Sequence, residues 1–102
     1  MLKIKFMSNL RAILDKKSIN LDIEQEKELE ELLKIIGNKI KSKFEIIKKE
    51  KDHMVLKLYV NLNGQESYIT MRVKFLYNNE FISMDKKIKD GELQILPLLG
   101  GG

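Results

Sequence analysis

Gly100-Gly101-Gly102 closes the printed sequence, directly after Leu96-Pro97-Leu98-Leu99. Glycine loses more backbone freedom on ordering than any other residue, so three in a row add nothing to a folded body. Their use is slenderness, because a segment without side chains enters a channel too narrow for any residue with a Cβ. Fully extended, Leu98 to Gly102 would carry a carboxylate on Gly102 about 17 Å from the body. A glycine-rich end is also what a frayed terminus looks like. The proline, the two leucines and the preceding Asp90-Gly91 turn favour the functional reading.

Composition narrows the chemistry further. The 102 residues contain no cysteine, which excludes disulfides, thiolate metal sites and cysteine nucleophiles, so any sulfur chemistry uses a backbone carboxylate or a partner's thiol. Lys and Arg exceed Asp and Glu by 19 to 15, a net charge of +4. The lysines alternate with acids, as in Lys48-Lys49-Glu50-Lys51-Asp52, which reads as a solvated surface and favours no nucleic-acid partner. No apolar run reaches the roughly 20 residues needed to span a bilayer, so no membrane partner and a cytoplasmic location are expected. No metal ligand set stands out. His53 lies in the polar link Lys51-Asp52-His53 and receives no role.

The elements that must hold the glycine segment follow from periodicity. Leu2, Ile4 and Phe6 alternate with Lys3 and Lys5, the period of a half-buried strand. Ser8 to Asp15 fits a short helical turn capped by Ser8 or Asn9, and Ile19, Leu21 and Ile23 mark a second strand antiparallel to the first. Between Glu24 and Ile36 the apolar spacing becomes helical, with Leu29, Leu32, Leu33 and Ile36 on one stripe and Gly37 as the residue that stops the helix. A second amphipathic segment, Asn38 to about Lys49, presents Ile40, Phe44 and Ile47 on one side and is expected to be helical. Met54 to Leu62 and Ser67 to Tyr77 alternate on either side of Asn63-Gly64, a strong hairpin signal. Asn78-Asn79 makes another turn, Phe81-Ile82 a short extended piece, and Asp90-Gly91 turns into a final strand, Leu93 to Leu96. Pro97 ends that strand for want of an N–H.

Strand hairpin, crossing helix, further strands and a protruding Gly-Gly end resemble a ubiquitin-like β-grasp. The run Ile4-Lys5-Phe6-Met7-Ser8-Asn9-Leu10-Arg11 resembles the first strand and turn of the MoaD/ThiS family of sulfur carriers, and Ile88-Lys89-Asp90-Gly91 through Ile95-Leu96-Pro97-Leu98-Leu99-Gly100-Gly101-Gly102 resembles that family's DG turn and Pro-Pro-x-x-Gly-Gly ending. Leu98 stands where the family has a second proline, and the stretch from roughly Glu45 to Met71 is longer than the family needs. The resemblance implies an α+β fold: a mixed sheet of about five strands with the main helix across one face, plus an inserted helix and hairpin strand. Residues 1–97 would form the domain and 98–102 a flexible tail.

The resemblance also implies a carrier without an active site or bound cofactor. An activating enzyme of the E1 type would use ATP to adenylate Gly102, and sulfur would then displace AMP to leave a thiocarboxylate for molybdopterin biosynthesis, with the large subunit of molybdopterin synthase as acceptor. By the same resemblance Gly101 and Gly102 would carry the chemistry, and Pro97, Leu98, Leu99 and Gly100 would position it. Alternatives are conjugation to target-protein lysines, as in small archaeal modifiers, sulfur supply for tRNA thiolation, and a β-grasp interaction module that is never activated. If the helix covers one sheet face, Tyr59, Tyr68 and Leu76 fall on the other and are candidates for a docking surface.

Overall fold

The computed structural model describes residues 1–98. Chain order is β1 (Leu2–Phe6), α1 (Ser8–Leu14), β2 (Ser18–Leu21), α2 (Leu29–Ile40), β3 (Lys43–Lys49), β4 (Met54–Leu62), β5 (Gln65–Tyr77), β6 (Glu80–Phe81) and β7 (Gly91–Pro97). The architecture is α+β, one mixed sheet with two helices. Its strands lie in the order β2-β1-β7-β5-β4-β3, and β6 pairs with β5 off this path. Every pairing is antiparallel except β1 with β7, which run parallel with Ile4 opposite Leu93.

Alternation along the strands separates two faces. Leu2, Ile4 and Phe6 of β1, Leu93 and Ile95 of β7, Val73 and Phe75 of β5, and Met54, Leu56 and Leu58 of β4 are buried together with Leu29, Leu32, Leu33 and Ile36 of α2. These side chains form the core between helix and sheet. Burying each is worth roughly 1.5–3 kcal/mol, so this layer outweighs the exposed ion pairs, at about 0–1 kcal/mol each.

The hairpins follow their turn residues. Asn63 and Gly64 have φ of 53° and 81°, as the two-residue turn between β4 and β5 requires, and Asn78 and Asn79, at 51° and 71°, repeat the device between β5 and β6.

Four local expectations are corrected. The inserted helix over Asn38 to Lys49 is absent: α2 runs on to Ile40, and Lys43–Lys49 is the outermost strand. Its apolar residues fit both periods, and β4 supplies an antiparallel partner within reach through the short link at residues 50–53. The sheet consequently has seven strands, two more than expected. Ile47 sits where the β3–β4 register shifts between Ile46 and Lys48 and is 51% exposed, so Phe44 faces the core instead.

Gly37 does not end α2. It lies buried inside the helix, where a Cβ would stand 2.7 Å from the Ser42 carbonyl oxygen, and the left-handed residue that closes the helix is Lys41, φ 58°. The helix also begins later than Glu24, because Lys27 and Ile88 exchange backbone hydrogen bonds at 2.8 and 2.9 Å that hold the preceding segment extended. The Glu28 N–H donates to the Glu31 carboxylate at 3.5 Å, and Glu30 and Glu31 suit the positive end of the helix dipole. Finally, α1 takes Met7 as its N-cap, without a side-chain cap from Ser8 or Asn9.

Candidate functional site

The site predicted from sequence begins at the end of β7. This strand is central, flanked by β1 on one side and β5 on the other, and its C-terminal end overruns β1. Phe6, the last residue of β1, pairs with Ile95, whereas β5 continues alongside as far as Val73 opposite Pro97. The Leu98 N–H donates to the Arg72 carbonyl at 2.8 Å. Successive residues of a strand send their N–H groups to opposite sides, so the nitrogen of Pro97 faces away from β5, toward the side where β1 has finished. The missing N–H therefore removes no bond from the β5–β7 ladder, and a buried proline is tolerated in an otherwise central strand.

The other end of β7 is anchored as firmly. Gly91 has φ 114°, and a Cβ there would lie 2.3 Å from Asn78 Oδ1. That oxygen accepts a hydrogen bond from the Glu92 N–H at 3.0 Å, and the Asn78 N–H donates to the Glu92 carbonyl at 2.9 Å. The Tyr77 hydroxyl donates to the Asp90 carbonyl. The Asp90-Gly91 turn read from the sequence is thus locked against the Asn78 turn, which fixes the register of β7 and with it the position at which the chain leaves the sheet. Pro97 does not end the pairing at Leu96 as expected: because its nitrogen faces away from β5, β7 runs on through Pro97 opposite Val73, and Leu98 is still held to the sheet. Leu99, Gly100, Gly101 and Gly102, which carry the proposed chemistry, lie outside the described residues.

The sheet face opposite α2 gathers the other candidates. Tyr59 and Tyr68 are direct cross-strand partners on β4 and β5, with ring centroids 6.2 Å apart, and Tyr68 is 57% exposed. Leu76 lies further along β5 on the same face, opposite Phe81 of β6, itself 63% exposed. The Tyr59 hydroxyl donates to Glu45 at 3.0 Å. Sequence reasoning missed the cations beside them: Lys57 Nζ stands 4.1 Å from the Tyr68 ring centre and 5.6 Å from that of Tyr59, and Lys43 Nζ lies 5.4 Å from the Tyr59 ring. Had Lys43 been read as a strand residue, the i, i+2 alternation would have put it on this face.

Charged groups elsewhere serve the surface. His53 Nδ1 lies 2.8 Å from Asp52 Oδ1, and this contact holds the Asp52 carboxyl below the usual carboxylate range. The Lys48 ammonium lowers Glu50 in the same way, and the Ser83 hydroxyl lowers Asp85. Lys49 on β3 reaches Glu30 in the first turn of α2 at 2.5 Å, which raises the lysine. Among the described residues no group of three or more His, Asp or Glu side chains is placed to hold a metal ion, and no helix is long and apolar enough to cross a membrane. Fold and site together define an α+β chain whose central last strand leads into a glycine run. Set against protein-family models, curated proteins and solved structures, the chain matches none of them.

Proposed function

We propose that the chain is a ubiquitin-like carrier of the β-grasp type, activated at Gly102. The observation that carries the reading is the placement of β7. The strand preceding the glycines is central and parallel to β1, clamped by the Gly91–Asn78 lock at one end and by the Leu98–Arg72 hydrogen bond at the other. The antiparallel pair of β1 and β2, joined through α1, helix α2 across the sheet and a parallel last strand beside the first agree with a β-grasp to which β3 and β4 have been added at the far edge. In this reading the body supplies a fixed point of departure, and the glycine segment supplies the reacting carboxylate.

The chemistry requires an activating partner, because a carboxylate is a poor electrophile at neutral pH. The Gly102 carboxylate attacks the α-phosphate of ATP on that partner and pyrophosphate leaves. A sulfur nucleophile then displaces AMP from the acyl-adenylate, giving a C-terminal thiocarboxylate that passes its sulfur to an acceptor enzyme. Molybdopterin biosynthesis is the proposed use, on the resemblance of both chain ends to the MoaD/ThiS carriers.

The test removes Gly101 and Gly102 and compares the shortened protein with the full chain in cells that depend on it. A carrier loses all function while its fold and melting temperature are unchanged. Retained function in the shortened protein refutes the proposal and leaves an interaction module. Recovery of the full chain in isopeptide linkage to target lysines replaces sulfur transfer by protein modification.

A further inference from the structure

In sequence the charges alternate, but the fold sorts them. Six of the fifteen acids lie between Asp22 and Glu31, at the start of α2, with Lys27 the one cation among them. The open face of the sheet collects cations. On β5, Arg72 and Lys74 occupy the positions between the buried Val73 and Phe75 and their neighbours, Lys57 on β4 and Lys43 on β3 lie across the same face, and Lys3 and Lys5 on β1 continue it. Acids on this face are fewer: Glu92 is engaged by Lys5 at 3.8 Å and Glu45 by the Tyr59 hydroxyl, Glu66 lies beside Tyr68 on β5, and Lys74 is shared with Asp52 of the adjoining loop at 3.8 Å. Within this field stands the Tyr59–Tyr68 pair on adjacent strands, and among the described residues no element covers it.

We propose that this face, centred on Tyr59, Tyr68, Lys43, Lys57 and Arg72, binds single-stranded nucleic acid. Exposed Tyr68 and half-buried Tyr59, on neighbouring strands of an open sheet, offer π-faces to unpaired bases, and every base has such a face, so the contact tolerates sequence. The lysine ammonium groups now lying over the rings meet the phosphates, which they neutralise with release of counterions. An acidic polypeptide would also satisfy the charge, but it would leave the paired rings without a stacking partner. A duplex keeps its bases stacked inside and offers phosphates alone.

Neither the glycine segment nor its activation enters this proposal, so the two readings fail separately. Fluorescence anisotropy of a labelled mixed-sequence 12-nucleotide RNA, and of the same sequence as a duplex, is titrated with the full chain at two salt concentrations. Single-strand binding tighter than about 100 μM at low salt, and clearly tighter than duplex binding, is expected. Tyr68→Ala and Tyr59→Ala each weaken it about tenfold, and Tyr68→Phe restores it, which separates stacking from damage to the fold. Joint replacement of Lys43, Lys57 and Arg72 by Gln reduces the slope of log affinity against log salt by about 2. Removing Gly101 and Gly102 leaves binding unchanged. The proposal is overturned by absence of binding, by equal affinity for the duplex, by insensitivity to the tyrosine substitutions, or by poly-glutamate binding as tightly as the RNA with the same dependence on Tyr68.

Discussion

Replacing Gly91 by alanine tests how the body fixes its last strand. Gly91 adopts φ 114°, a conformation that an L-residue reaches only with strain, and the added Cβ would meet Asn78 Oδ1 at 2.3 Å. Forcing a side chain into the left-handed half of backbone space costs about 1–2 kcal/mol. The amide of Asn78 must then swing away and release the Glu92 N–H, which is partly exposed and finds water, adding about 0.5–1 kcal/mol. The sum is about 1.5–3 kcal/mol. At about 4–8 °C per kcal/mol for a domain of this size, the melting temperature falls by roughly 6–24 °C. Thermal and urea unfolding followed by circular dichroism measure both quantities. Asn78→Ala adds a sharper control: it removes the clash with the hydrogen bond, so in the double variant the two losses add to less than their sum. A Gly91→Ala protein within about 0.5 kcal/mol of the parent, or strict additivity with Asn78→Ala, refutes the lock.

In β3, Phe44→Ala is expected to lose about 3 kcal/mol, whereas Ile47→Ala changes stability by less than about 0.5 kcal/mol; the reverse order in chemical denaturation would restore a helix over this segment. Gly37→Ala is expected to destabilise by about 1–2 kcal/mol despite the higher helix propensity of alanine, because the Cβ meets the Ser42 backbone oxygen at 2.7 Å; a rise in melting temperature would contradict the close approach. Glu50, Asp52 and Asp85 are lowered in the fold, so each contributes stability above its unfolded value near 4 that is lost as pH falls through the folded value. These groups are exposed and screened, so stability measured between about pH 5 and 3 should decline gently and more weakly in high salt.

Strand and turn positions were legible where chemistry and periodicity agreed. Asn63-Gly64 and Asn78-Asn79 occupy turns whose positive φ suits those residues, and β1, β4, β5 and β7 alternate cleanly enough to separate core from surface. Errors arose where a local signal admitted two answers. Ile40, Phe44 and Ile47 share a helical stripe, yet only Ile40 lies in a helix; Phe44 and Ile47 fall in β3, and the decision belongs to β4, its antiparallel partner further along the chain. Gly37 carries the residue type of a helix stop, yet its role is a backbone-to-backbone approach that only the tertiary fold reveals. The sorting of cations onto the open face was hidden for a related reason: alternation along one strand is visible in sequence, but the alignment of Lys43, Lys57 and Arg72 across three strands depends on register.

The most direct test of the central claim is the intact mass of the protein after incubation with its activating enzyme, ATP and sulfide. A gain equal to the replacement of one oxygen by one sulfur, located to Gly102 by fragmentation and dependent on ATP, is expected. An unchanged mass under conditions in which that enzyme forms AMP and pyrophosphate with an established carrier would contradict it.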